Sequence, residues 1–305
     1  MMSNEAVYHV PVMLEECMQA MDIKPDGVYV DVTFGGGGHS REILKRLGEN
    51  GRLIAFDQDP DAVKNALDDP RFTLVHQNFR FLKNNLRLLG IKEVDAILGD
   101  LGVSSHQFDS AERGFSIRFE ADLDMRMDQV SDLDAKKILN TYAEEDLHRI
   151  FGMYGEIQNA RSLAKTVVTA RLTTPIETVE GLKDAIKKLV PRGKEHKYHA
   201  QVFQALRIEV NQELEALQDF LSQTISVLKP GGRLVIMSYH SLEDRLVKNF
   251  MQKGKFKGEV EKDFFGNEIK PFHVISRKAI TASEAELALN NRSRSAKLRV
   301  AERLA

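Results

Sequence analysis

Short apolar runs alternate with helix-period stretches through the first hundred residues, and that rhythm is the chain's main structural signal. Val28, Val30 and Val32 mark a β-branched strand, and Ile43, Leu44 and Leu47 give the helical face that follows it. Next come strand 52–56, a helix from 60 to about 67, strand 72–76, a helix near 79–89 and strand 94–100. Strands separated by helices argue for an α/β fold built on a parallel, doubly wound sheet. Between about 105 and 211 the strands stop, and helical patterning covers 143–151, 157–171, 178–189 and 200–210. A loop of that length is implausible inside a domain. An inserted helical domain is therefore expected over 105–211, dividing the sheet domain into 1–104 and 212–305. The rhythm resumes with a helix near 211–228, a strand within KPGGRLVIMSYHS (229–241), a helix at 242–252, a strand near 271–277 and a last strand within 295–303.

Composition narrows the class without changing that picture. With 305 residues, 42% hydrophobic and 29% charged, the chain suits one large or two moderate globular domains. Its one cysteine, Cys17, excludes an internal disulfide framework and fits a reducing compartment. The opening MMSNEAVYHVPVML lacks the pattern of a signal peptide, and no run reaches the eighteen apolar residues of a membrane span. A soluble, cytoplasmic protein is expected. A net charge of −2 supplies no global pull toward nucleic acid, so any RNA contact falls to local patches.

Candidate chemistry sits where the first strand ends. VYVDVTFGGGGHS (28–40) runs from a strand into four glycines and a helix start, a backbone bare enough for a ligand to lie against it. Against the dinucleotide fingerprint G-x-G-x-x-G, Gly35 and Gly37 match, but position 40 is Ser40. The spacing Asp31-x-x-x-Gly35-x-Gly37 matches instead the first motif of S-adenosylmethionine methyltransferases. Asp57 after the second strand and Asp100 after the fourth fall where ligands bind in open α/β sheets, at carboxyl ends of strands.

TFGGGGHS (33–40), DLGVSS (100–105), AERGFS (111–116), LDMRMD (123–128), FQALRIEVNQEL (203–214), GGRLVIMSYHSLEDR (231–245) and SRSAKLRVAER (293–303) together resemble the RsmH (MraW) family. The likeness runs from about residue 8 to the C-terminus. It implies a Rossmann-like class I methyltransferase sheet interrupted by a helical domain. It also implies S-adenosylmethionine-dependent N4-methylation of a cytidine in the decoding region of 16S ribosomal RNA. Residue by residue, it places Gly37, Gly38 and His39, beside Gly35, at the cofactor's methionine end, Asp57 at the ribose and Phe79 beside the adenine. Asp100 and Gln107 complete the pocket. Without the resemblance, His39 reads equally as a residue capping its own turn, and Phe79 as core.

Cytosine N4 is a poor nucleophile, because its lone pair is conjugated into the ring. The enzyme must hold the amine in line with the methyl and accept its hydrogen bonds. Many amino-methyltransferases place an Asp/Asn-Pro-Pro-aromatic motif after strand four; here the position reads Asp100-Leu101-Gly102-Val103. Asp100 is the first candidate for amine acceptor, with Tyr239, His240 and Ser241 next. Asp124, Arg126 and Asp128 read as a substrate wall or a salt-bridge network. No metal site is apparent, since His196 and His199 lack partners at ligand spacing.

Positive charge concentrates in KKLVPRGKEHKYH (187–199), with Lys187, Lys188, Arg192, Lys194 and Lys197, and in NNRSRSAKLR (290–299), with Arg292, Arg294, Lys297 and Arg299. Each run alone reads as a solvated face; with an RNA substrate, both become phosphate anchors. The expected partner is 16S rRNA within the small subunit, without metal or membrane, and a homo-oligomer stays open. Competing readings are a dinucleotide oxidoreductase, an RNA-binding assembly factor without turnover, and a methyltransferase acting on DNA or protein.

Overall fold

A computed structural model describes residues 11–104, 107 and 113–305. Residues 8–10, Ser105 and 111–112 of the motifs above lie outside them. Among the described residues nine strands form: β1 (Val28–Asp31), β2 (Arg52–Asp57), β3 (Phe72–His76), β4 (Val94–Asp100), β5 (Leu228–Ser238), β6 (Glu261–Lys262), β7 (Glu268–Ile269), β8 (Phe272–Val274) and β9 (Lys297–Arg303). Seven of them make one sheet in the order β3-β2-β1-β4-β5-β9-β8, while β6 and β7 pair as a separate hairpin. β1 to β5 run parallel; β9 is antiparallel to both β5 and β8. The fold is thus the expected α/β sheet.

Its central strands read as nearly continuous apolar runs because both faces are covered. On one side Val30, Ile54, Phe56, Ile97 and Ile236 pack with Phe220 and Phe250. On the other, Tyr29, Leu53, Leu98 and Met237 pack with Cys17, Met18 and Ile43. Strand order reverses between β1 and β4, so the carboxyl ends of these neighbours open a crevice at the switch point.

The chain divides into two compact units: the sheet with its helices, leaving off at Gly102 and resuming at Glu215, and Val103–Leu214. Helices Ala135–Thr141, Glu144–Met153, Ala160–Arg171, Val179–Ile186 and Glu195–Asn211 make up much of the second unit. Leu139, Ile150, Phe151, Leu163, Val167, Leu182 and Leu206 are fully buried within it. Asp134 and Thr178 cap two of these helices, accepting N–H bonds from Lys137 and Gly181.

Some elements differ from expectation. The helix expected over 60–67 ends at Val63, and Asn65 donates its side-chain amide to the Gly35 carbonyl. The helix expected from 200 begins at Glu195, its polar first turn carrying no apolar period. The strand expected over 271–277 shrinks to Phe272–Val274, and the β6–β7 hairpin and the helices Leu14–Met21 and Glu284–Leu289 had no counterpart in the pattern. No helix among the described residues is long and apolar enough to cross a membrane.

Candidate functional site

β1 delivers the chain into the glycine turn. Gly35 and Gly37 have φ of +50° and +74°, and a Cβ at Gly37 would sit 2.9 Å from the Phe34 ring, so this turn demands glycine. At Gly36 nothing lies within 4 Å of an added Cβ, leaving open space against bare backbone. Helix Gly38–Arg46 starts from Gly37 without a side-chain cap, and a helix start leaves its first N–H groups without intrahelical partners.

Three strand-end carboxylates surround this turn, each held differently. Asp31, 1% exposed, accepts bonds from the Ser40 hydroxyl (2.7 Å) and the Thr33 N–H (3.1 Å), and burial pushes its carboxyl up. Asp57 accepts the Gly35 and Asp59 N–H groups, both at 2.8 Å, which ties the end of β2 to the glycine turn. Burial raises Asp57 to about 6 despite those two bonds. Asp100, at the end of β4, accepts the Tyr239 hydroxyl at 2.7 Å on Oδ1, while its N–H donates to Thr33 Oγ1 at 2.7 Å. Burial pushes it also to about 6, with Asp31 and Glu243 adding to the rise and His39 and the Tyr239 bond opposing it. Thr33 therefore joins the Asp31 and Asp100 corners.

His39 is buried beside them. Its Nε2 lies 3.1 Å from the Val12 carbonyl, so that nitrogen carries a hydrogen, and Nδ1 faces Asp100 Oδ2 at 3.9 Å. Tyr239 lies in the same group, its phenol pushed far upward by burial and by the Asp100 charge, so it stays a hydrogen-bond donor. His240 does different work. Its side chain caps helix Ser241–Lys253, accepting from the Glu243 N–H, while the Glu243 carboxylate accepts the N–H groups of His240 and Tyr239. Glu243, only 3% exposed, also lies 3.2 Å from His240 Nε2. The sequence had not singled it out. Its spacing from residue 240 is that of a capping box, hidden because histidine replaces the usual Ser or Thr.

The remaining sequence candidates fall in varied settings. Phe79, half-buried after β3, packs edge-on against Phe220 with centroids 5.4 Å apart. Gln107 belongs to the helical unit, where it exchanges hydrogen bonds with Ser104 at 3.1 and 3.2 Å. Arg126 grips Asp124 through two 2.8 Å bonds and reaches the carbonyls of Gln129 and Ser131, a network that stiffens the loop. Lys188, Arg192, Lys194 and Lys197 are exposed, as is Arg294, and Arg292 is half-buried. Arg299 is already occupied: it is 9% exposed and grips Asp244 at 2.6 Å, with Lys297 3.5 Å from the same carboxylate. Arg299 is thus a structural cation of the sheet unit rather than part of a free basic run, while Lys297 stays half-exposed beside the same acid.

A methylase family matches this chain almost end to end: the description of that family is "MraW methylase family", and the match spans residues 6–304. The chain belongs to the MraW methylase family. The ribosomal RNA small subunit methyltransferase H of Cytophaga hutchinsonii is 60% identical over 299 residues, covering 97% of this chain and all of that one. The protein so described from Flavobacterium johnsoniae is 57% identical over 303 residues, covering 99% and all. Among solved structures, an rRNA methylase from Streptococcus thermophilus shares 11% identity over 95% of both chains, with a TM-score of 0.43. Membership in the family makes this chain a methyltransferase and removes the oxidoreductase alternative.

Proposed function

We propose that this MraW-family enzyme transfers a methyl group from S-adenosylmethionine to N4 of a cytidine in the decoding region of 16S ribosomal RNA. The carrying observation is the Asp100–Tyr239 pair, a carboxylate fixed by a phenol at the switch point of the sheet. Bound there, S-adenosylmethionine supplies an electrophilic methyl on a positively charged sulfur. Gly36, which opens onto free space, leaves room for such a ligand, and the uncapped helix start at Gly37–His39 offers N–H groups to a carboxylate. Asp57 has its remaining lone pairs for ribose hydroxyls, and Phe79 presents an aromatic ring after β3.

Asp100 Oδ2 is left to accept the cytosine amine, drawing nitrogen density toward the methyl, and then to take the released proton. Tyr239 fixes that carboxylate by occupying Oδ1. His240, committed to its helix cap, contributes by holding the corner that carries Tyr239. Residues 105–211 act as the substrate-recognition domain, where Lys188, Arg192, Lys194 and Lys197 anchor phosphates. Arg292 and Arg294 do so from the sheet unit. The relatives' description supports RNA of the small ribosomal subunit as substrate. Incubating the enzyme with labelled S-adenosylmethionine and small subunits from an unmethylated source, then digesting to nucleosides, tests the reading. Label is expected in N4-methylcytidine; label confined to any other nucleoside overturns it.

A further inference from the structure

The β6–β7 hairpin carries an arrangement that the methyl-transfer crevice does not use. Phe264 and Phe265 at its tip are 97% and 85% exposed, and Ile269 beside them is 55% exposed. Two adjacent phenylalanines so bare are costly in water unless something covers them. The turn that presents them is closed by its own hydrogen bonds. Asp263 Oδ1 accepts the N–H groups of Phe265 and Asn267 at 2.8 and 2.9 Å, and Oδ2 accepts the Asn267 amide at 2.9 Å. The Asp263 N–H donates to the Asn267 carbonyl at 2.9 Å, closing the turn, and the rings stand edge to face, 5.6 Å apart at 86°.

We propose that this hairpin is a second RNA contact, where Phe264 and Phe265 stack on unpaired nucleobases of the substrate. Three observations favour RNA over a protein partner. Each ring buries roughly 200 Å² at most, so the tip falls well short of the ~800 Å² per partner of a stable protein interface. The surface around the rings is charged rather than apolar: Glu259, Glu261, Lys262, Glu268 and Lys270 are all exposed. Among the described residues Glu261 and Glu268 are ion-paired with Lys255 and Lys270, whereas Lys257 makes no ion pair and Lys262, opposite Glu268 in the hairpin register, makes none either, leaving both ammonium groups available to phosphate. Aromatic faces flanked by free lysines are the elements of single-strand binding.

Register fixes where the contact lies. β8, which the hairpin leads into, begins with Phe272 opposite Arg303, next to the Glu302–Arg233 pair at the start of the parallel part of β5. Asp100 pairs with Met237 at the other end of that strand. Four residues of strand and the 13-residue helix Ser241–Lys253 put the start of β8, at the base of the hairpin, some 15–20 Å from the crevice.

The inference rests on the rRNA reading above, and the test separates the two. The chain contains no tryptophan, so Phe264→Trp gives a single emission reporter on the full enzyme. Adding small subunits from an unmethylated source, or their purified rRNA, is expected to quench it by base stacking. The double variant Phe264→Ala/Phe265→Ala is expected to raise KM for those subunits at least tenfold, with kcat and cofactor affinity unchanged. No quenching by rRNA, or a KM within twofold of wild type, overturns the inference. Quenching by rRNA-free ribosomal proteins, or by raising the enzyme's own concentration, also overturns it in favour of protein docking. Wild-type enzyme that transfers no methyl to rRNA overturns the functional reading instead.

Discussion

At Asp100 two opposing effects set the chemistry. Burial and the neighbouring acids Asp31 and Glu243 favour the neutral acid, while His39 and the Tyr239 hydroxyl favour the carboxylate, and the balance lies at about 6. Only the carboxylate offers both oxygens as acceptors and can take up the released proton. With cofactor saturating, kcat should therefore fall about tenfold per pH unit below about 6, read from initial rates between pH 5 and 8. Saturation matters because, on the proposed ribose contact, protonating Asp57, also raised to about 6, is expected to weaken cofactor binding over the same range. Tyr239→Phe removes a bond that favours the charged form, so the acid limb should move to higher pH; an unmoved midpoint contradicts the pairing. Stability has the opposite sense. A carboxyl raised on folding contributes stability that is present below pH 4 and lost as pH rises through 6. At pH 7.5 Asp100→Asn should thus keep or raise Tm while transfer is lost. In the turn, Gly36→Ala should change stability by less than about 0.5 kcal/mol, whereas Gly37→Ala, facing strain and the Phe34 ring, should cost about 1–3 kcal/mol in urea unfolding.

Elements position these residues through their ends. The start of helix Ser241–Lys253 is fixed by the reciprocal bonds of His240 and Glu243, and Glu243 also holds the Tyr239 N–H. Glu243→Ala should cost about 0.5–2 kcal/mol of stability and, by freeing the corner that carries Tyr239, lower kcat more than it raises the cofactor Kd. An unchanged kcat with reduced stability would confine Glu243 to capping. This corner also shows what the sequence concealed. Asp31, Asp57 and Asp100 were legible because each closes an apolar strand, and strand ends are where ligands bind in such sheets. Thr33, which joins two of them, and Glu243 were not, since their roles depend on side-chain reach across the fold. Arg299 was misread for the same reason: along the chain it sits in a basic run, but β9 brings it onto Asp244. The β6–β7 hairpin escaped because two-residue strands carry no period.

For the whole molecule, a net charge of −2 leaves nucleic-acid affinity to local cations. Arg192→Glu with Lys194→Glu should weaken RNA binding and flatten its salt dependence by about two units of slope, without changing cofactor affinity. An unaltered salt slope, measured by filter binding, would show these two residues to be a solvated face. The alternation of strands and helices was readable because a sheet covered on both faces imposes apolar strands. The helical region expected over 105–211 was legible through the loss of that alternation together with the helical patterning at 143–151, 157–171, 178–189 and 200–210. The most direct test of the account is single-turnover methyl transfer to unmethylated small subunits, wild type against Asp100→Asn, with cofactor saturating and the product read as a nucleoside. The account predicts N4-methylcytidine from the wild type and a rate at least a hundredfold lower from the variant. Another methylated nucleoside, or a variant rate within twofold of wild type, would contradict it.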